Sequence, residues 1–119
     1  MKEVKDIIEI LNKKRFLLHD EKELQRQVHT ELLKHFRTDQ LEAEHYLDKG
    51  SIIDFFILPG IGIEVKIKGG KREIYRQCIR YCGFERIKAL ILLTNISIGF
   101  PEEINGKPCY IVKLGKAWL

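Results

Sequence analysis

Apolar residues recur with a helical period over the first forty positions and with a strand period after that. Val4, Ile7, Ile8 and Leu11 are spaced by threes and fours, which predicts a first helix over residues 2–13. Asp20 and Glu23 have the spacing of a capping box, with Asp in the cap position. A second helix is therefore predicted from about 20 to 36, with an apolar stripe of Leu24, Val28, Leu32 and Phe36. From there the period shortens. Leu41, Ala43, His45 and Leu47 alternate with Glu42, Glu44 and Tyr46, so 40–47 predicts a strand. Asp48-Lys49-Gly50 signals a turn, and Ser51 to Leu58 a second strand rich in Ile and Phe. Pro59-Gly60 interrupts it, and Ile61 to Lys68 makes a third strand, completing a meander. Beyond Gly69-Gly70, residues 71–84 predict a helix closed by Gly83. Residues 87–94 are nearly all apolar, as in a strand covered on both faces. Strand, helix and buried strand form a β-α-β unit, so the third and fourth strands are expected to be parallel. Pro101-Glu102-Glu103 predicts a short turn of helix, and Cys109 to Leu114 a last strand. The expectation is one α/β domain over 1–119, with a mixed central sheet flanked by helices.

Composition narrows the class. Hydrophobic residues are 45% and charged residues 32%, which suits a packed globular core. The longest apolar run, Ala89 to Leu93, is far short of the roughly 20 residues of a membrane span, so no membrane partner is expected. Lys2 and Lys5 alternate with Glu3, Asp6 and Glu9, unlike a secretory signal. A cytoplasmic location is expected, the host cytoplasm for a phage-encoded chain. Cys78, Cys82 and Cys109 are too few and odd in number for a disulfide framework. Cys78 and Cys82 lie one helical turn apart, but His19, His29, His35 and His45 have no zinc spacing with them, so the cysteines read as packing residues.

Charge is local. The net charge is +4, yet Lys66, Lys68, Lys71, Arg72, Arg76 and Arg80 face a single acid, Glu73, within residues 66–80. The rest of the chain is slightly acidic. A basic segment of this kind suits a polyanion, nucleic acid first.

The candidate chemistry lies beside it. Alternation places Ile52, Asp54 and Phe56 on one face of the second strand and Ile53, Phe55 and Ile57 on the other. On the third strand Gly62, Glu64, Lys66 and Lys68 share a face, opposite Ile61, Ile63, Val65 and Ile67. Asp54 is an acid inside an apolar strand, and Glu64 and Lys66 project from its neighbour. Two carboxylates on adjacent strands, with a backbone carbonyl, offer half an octahedral shell for Mg²⁺ or Mn²⁺. The same residues also read as a buried Asp54–Lys66 or Glu64–Lys66 salt bridge without chemistry.

Ile53-Asp54-Phe55 followed by Ile63-Glu64-Val65-Lys66 resembles the PD-(D/E)xK nuclease superfamily: Asp, nine residues, then Glu-x-Lys on two adjacent strands. Gln77-x-x-x-Tyr81 on the next helix resembles the Gln-x-x-x-Tyr element of several members. Glu21-Lys22-Glu23-Leu24 is similar to the opening helix of archaeal Holliday-junction resolvases. Ile53 stands where the eponymous Pro would be. The resemblance covers about residues 20–95 and implies a restriction-endonuclease-like αβββαβ core with an extra N-terminal helix. It implies a metal-dependent DNA nuclease in which Asp54, Glu64 and the Val65 carbonyl bind Mg²⁺ or Mn²⁺ and Lys66 positions or activates water. Glu21 would join a metal or its water, with Glu23 and Glu31 as alternative helix acids. Gln77 and Tyr81 would orient substrate or Lys66, and Lys68, Arg72, Arg76 and Arg80 would bind phosphates. Glu44 is either a more distant acid of the site or an exposed edge charge. Small size fits a junction resolvase or phage-type endonuclease, and a homodimer stays open. Two other readings remain: a degenerate, non-cleaving nucleic-acid-binding module, and a nuclease for RNA or cyclic nucleotides.

Overall fold

A computed structural model describes residues 2–115. Three helices and six strands follow in the order α1 (Lys2–Lys13), α2 (Glu21–Leu33), β1 (Leu41–Asp48), β2 (Ser51–Ile57), β3 (Ile61–Lys66), α3 (Lys71–Cys82), β4 (Ala89–Thr94), β5 (Glu103–Ile104) and β6 (Lys107–Lys113). The sheet order is β1-β2-β3-β4-β6-β5. β1, β2 and β3 form the expected antiparallel meander, and β3, β4 and β6 run parallel. A radius of gyration of 13.2 Å is that of one domain of this length. Among the described residues, no helix is long and apolar enough to cross a membrane.

The helices cover the two faces of the sheet. Val4, Ile7 and Leu11 of α1 and Leu24, Val28 and Leu32 of α2 pack on Ile61, Ile63, Val65, Ala89, Ile91 and Leu93. Ile74, Cys78, Tyr81 and Cys82 of α3 pack on Leu90 and Leu92. Alternation thus feeds two cores, and β4 is buried along its whole length, as its unbroken apolar run requires.

Several boundaries differ from expectation: β3 ends at Lys66, so Lys68 lies beyond the strand and not on its Glu64–Lys66 face, α3 ends at Cys82 and β4 begins at Ala89. α2 starts as foreseen, with Asp20 Oδ1 accepting the Lys22 amide at 3.2 Å. Glu23 does not close the box but pairs with Arg26. The helix stops at Leu33, where the amides of both His35 and Phe36 bond to the Leu32 carbonyl and tighten the last turn. No helical turn forms at Pro101-Glu102-Glu103: Glu103 begins the strand β5, which with Ile104 pairs antiparallel with Pro108 and Lys107 of β6. Asn105 (φ +52) and Gly106 (φ +77) form its two-residue turn, the conformation that Asn-Gly adopts readily. β6 accordingly starts at Lys107, two residues before Cys109.

The main departure lies in the first hairpin. Ala43 pairs with Phe55 and His45 with Ile53, so Glu44 and Asp54 lie opposite each other without bridging. On one side of that position Leu41, Ala43, Phe55 and Ile57 face α1 and α2. On the other side Leu47 and Ile53 face α3, although strict alternation predicts the opposite for both. Both strands therefore turn over at Glu44 and Asp54, and Glu44 takes φ +52 to do so. The outer half of the hairpin curls over α3. Arg86 fixes it there, donating from Nη2 to the Leu47 carbonyl at 2.6 Å, with Nη1 3.2 Å from His45 Nε2. Gly62 makes room for the curl: a Cβ on it would sit 2.5 Å from Ile53 Cδ1.

Candidate active site

The β2–β3 ladder has Phe55–Ile63, Phe56–Gly62 and Ile57–Ile61 and then stops. Beyond it side chains replace the ladder bonds. The Asp54 amide donates to Glu64 Oε1 at 3.2 Å, and the Val65 amide donates to Asp54 Oδ2 at 2.8 Å. Because a strand residue's N–H and C=O point to the same edge, the Val65 carbonyl also faces this gap.

Glu21 reaches the gap from the first turn of α2, where Oε1 accepts the Ile67 amide at 3.0 Å. Its charge acts on Asp54. Of the three helix acids weighed, Glu21 is the one brought to this place. Glu23 and Glu31 are tied to Arg26 and Lys34 on α2 itself. Gln25, one turn after Glu21, donates from Nε2 to Asp54 Oδ1 at 3.3 Å. Sequence reading passed over Gln25, although its i+4 relation to Glu21 places it on the same helix face.

From α3, Tyr81 comes to Glu64. Its hydroxyl lies 3.2 Å from Glu64 Oε2 and 3.0 Å from the Ile52 carbonyl, and it accepts from Gln77 Nε2 at 2.8 Å. Gln77 and Tyr81 thus act as a pair on Glu64 and on the curled hairpin. Neither makes a hydrogen bond to Lys66. Lys66 Nζ lies 3.6 Å from Glu64 Oε2 and is partly exposed. Glu44 stays exposed beside Asp54, in a shallow groove of about 300 Å³ shared with Lys22, Gln25, Arg26 and His29 of α2.

Burial controls the electrostatics. Glu64 is 2% exposed. Burial, and next the charge of Asp54, push its carboxyl up to about 8 from an ordinary 4.5. Burial also raises Asp54, against the opposing pull of the Val65 amide and Lys66. Burial and mutual repulsion therefore favour one proton held by this pair unless a cation replaces it. When that proton is on Glu64, the Tyr81 oxygen can accept from Glu64 and Gln77 while donating to Ile52.

Among the described residues, no three His, Cys, Asp or Glu side chains converge to hold a metal by themselves. The available donors are two carboxylates and one carbonyl: Asp54, Glu64 and Val65. All are hard oxygens, and Mg²⁺ characteristically takes one or two carboxylates and completes its shell with water and phosphate. The donor set fits such an ion.

The remaining site candidates are dispersed. Lys68, Arg72, Arg76 and Arg80 are exposed, and none of their side chains makes a hydrogen bond or ion pair with the described residues. The cysteines are free and buried, as their packing role requires, and Cys82 Sγ touches Cys109 Sγ at 3.7 Å.

No family model, curated protein or solved structure matches the chain.

Proposed function

We propose that this chain is a metal-dependent nuclease of the PD-(D/E)xK type, cleaving phosphodiester bonds in DNA. The observation that carries the reading is the meeting of Asp54, Glu64 and Lys66 where the β2–β3 ladder breaks, with Glu21 arriving from α2. A strand pair that ends its ladder at a buried acid pair is an expensive arrangement for structure alone. The element order α2-β1-β2-β3-α3-β4 is also the αβββαβ order of the restriction-endonuclease-like core.

In this reading Asp54, Glu64 and the Val65 carbonyl hold Mg²⁺ or Mn²⁺. Such an ion, when bound, polarises a phosphate and lowers the pKa of its water. Gln25 and the Val65 amide orient Asp54. Tyr81, itself set by Gln77, orients Glu64. Lys66 supplies positive charge, and a proton donor or acceptor, at the exposed mouth of the gap. Glu21 holds the chain after β3 and offers its second oxygen to a water. Lys68, Lys71 and Arg72 are the cations of the basic segment that follow Lys66 most closely in the chain, for substrate phosphates, and Arg76 and Arg80 continue it along α3.

The deciding experiment offers linear, circular, flap and four-way-junction DNA with Mn²⁺, using Lys66→Ala as control. Metal-dependent cleavage that Lys66→Ala loses supports the reading, and no cleavage of any substrate overturns it. One observation favours a second reading, a nucleic-acid-binding module that does not cleave. Every buried side-chain nitrogen and oxygen among the described residues already has a hydrogen-bond partner without any ion. Salt-sensitive DNA binding with no cleavage in Mg²⁺ or Mn²⁺ would select it.

A further inference from the structure

Lys66 has a counterpart that chain order conceals. β3, β4 and β6 are parallel neighbours, and their registers align Lys66 with Thr94 and Thr94 with Lys113. The three residues form one row across the carboxyl ends of three parallel strands. They also share a face. Leu92, two residues before Thr94, lies in the α3-side core, and so does Cys109, four before Lys113. Glu64, two before Lys66, meets Tyr81 of α3. Strand spacing of about 4.8 Å puts Lys113 roughly 10 Å from Lys66 along this edge. Lys113 Nζ donates to Ser97 Oγ at 2.8 Å, an exposed contact that turns the ammonium toward the loop after β4, and among the described residues no carboxylate pairs with it. Thr94 between them is fully buried, so the two ammonium groups bracket a neutral stretch of edge.

The basic segment on α3 runs differently. From Arg72 to Arg80 is eight residues, or about 12 Å of helix, directed back toward the amino ends of these strands. Only its first residues share the edge with Lys66. A polyanion that reaches Lys66 meets Lys113 by continuing across β4 to β6.

We propose that Lys113 is a substrate-binding residue and that the nucleic-acid backbone crosses the carboxyl edge from β3 over β4 to β6, with one phosphate near Lys66 and another at Lys113. This rests on the nuclease reading. Ligands of α/β sheets gather outside the carboxyl ends of parallel strands; here the loop after β4, whose Ile96 amide donates to Thr94 Oγ1, covers the middle of the row, and the strand would pass over that loop between the two ammonium groups.

The test is fluorescence anisotropy of a labelled, random-sequence single-stranded DNA with metal-free protein in EDTA, over a range of NaCl concentrations. Lys113→Gln is compared with Lys88→Gln, which removes the same charge just before β4 begins, at the opposite edge of the sheet. Equal melting temperatures establish that both variants fold. Lys113→Gln is expected to weaken binding and flatten the log–log salt slope by roughly 0.7, one lost phosphate contact on a single strand. Lys88→Gln should keep the wild-type slope. A Lys113→Gln curve superimposed on wild type overturns the proposal and leaves the nuclease reading standing. An equal loss in both variants also overturns it, by reducing the effect to net charge. If the wild-type protein shows no salt-dependent binding to this strand, the proposed path is overturned, and the cleavage assay alone decides the nuclease reading.

Discussion

Asp54 and Glu64 hold each other's strands. The backbone amide of Asp54 donates to the Glu64 side chain, and the amide next to Glu64, that of Val65, donates to the Asp54 side chain. Each acid therefore does two things: it closes a gap in the sheet and presents oxygen to whatever enters the gap. The two roles respond differently to substitution. Glu64→Gln keeps an oxygen for the Asp54 amide and removes the charge. Asp54→Asn keeps an oxygen for Val65, and Gln25 can turn its amide to accept from the new NH₂. Both variants should lose Mn²⁺ binding by calorimetry and lose cleavage, while the metal-free melting temperature at pH 8 holds or rises. Wild-type turnover in either one removes the acids from the metal site.

Acid–base linkage gives a second prediction. The folded Glu64 carboxyl titrates near 8, above its ordinary 4.5. Between those values the folded chain keeps a proton that the unfolded chain has released, so its contribution to stability is full below about 4.5 and is lost as pH rises toward 8. Asp54, also raised, acts in the same direction. Melting temperatures in EDTA should therefore fall across this window relative to Glu64→Gln, whose profile lacks that slope. Added Mn²⁺ should restore the wild type most at the alkaline end. A difference between the two proteins that does not vary with pH would contradict the assignment.

Tyr81→Phe removes one hydroxyl from three partners: Gln77, the Ile52 carbonyl and Glu64. A cost of about 1–3 kcal/mol in urea unfolding is expected, because buried polar groups are left without a partner. Gln77→Leu combined with it should cost much less than the sum of the two single changes, since both remove the same network. Full additivity would mean that the pair does not work as a unit.

Lys66→Ala separates chemistry from structure. If Lys66 acts on water or phosphate, Mn²⁺ affinity stays about intact and single-turnover cleavage falls on the order of a hundredfold or more. If it only pairs with the two acids, the melting temperature falls and the folded fraction cleaves normally. Melting temperature and single-turnover rate on one preparation distinguish the two outcomes.

Local signals in the sequence were sufficient for most elements. The helical stripe of α1, the Asp20 cap and the unbroken apolar run of β4 each depend on near neighbours, and each forms where its pattern places it. The Asp54–Glu64–Lys66 neighbourhood was legible because two adjacent antiparallel strands and a short turn leave little freedom of register. Asn105-Gly106 was equally local and was passed over for the acids after Pro101, so β5 was read as helix. The turnover at Glu44 and Asp54 was not readable from period alone. Ile53 and Phe55 are both apolar and both buried, and only the space left by Gly62 and the grip of Arg86 send Ile53 to the other core. Gln25, and Lys113 in line with Lys66, come from elements far away in the chain, and their positions depend on how those elements pack.

The break in the β2–β3 ladder also gives the protein a built-in spectroscopic probe. The amide protons of Asp54 and Val65 are held by carboxylates and not by carbonyls. Their NMR shifts and hydrogen-exchange rates should follow the charge on those carboxylates directly. Exchange at these two positions, set against the regular ladder amides of β3 and β4, will register a proton or a metal ion in the gap before any substrate is identified.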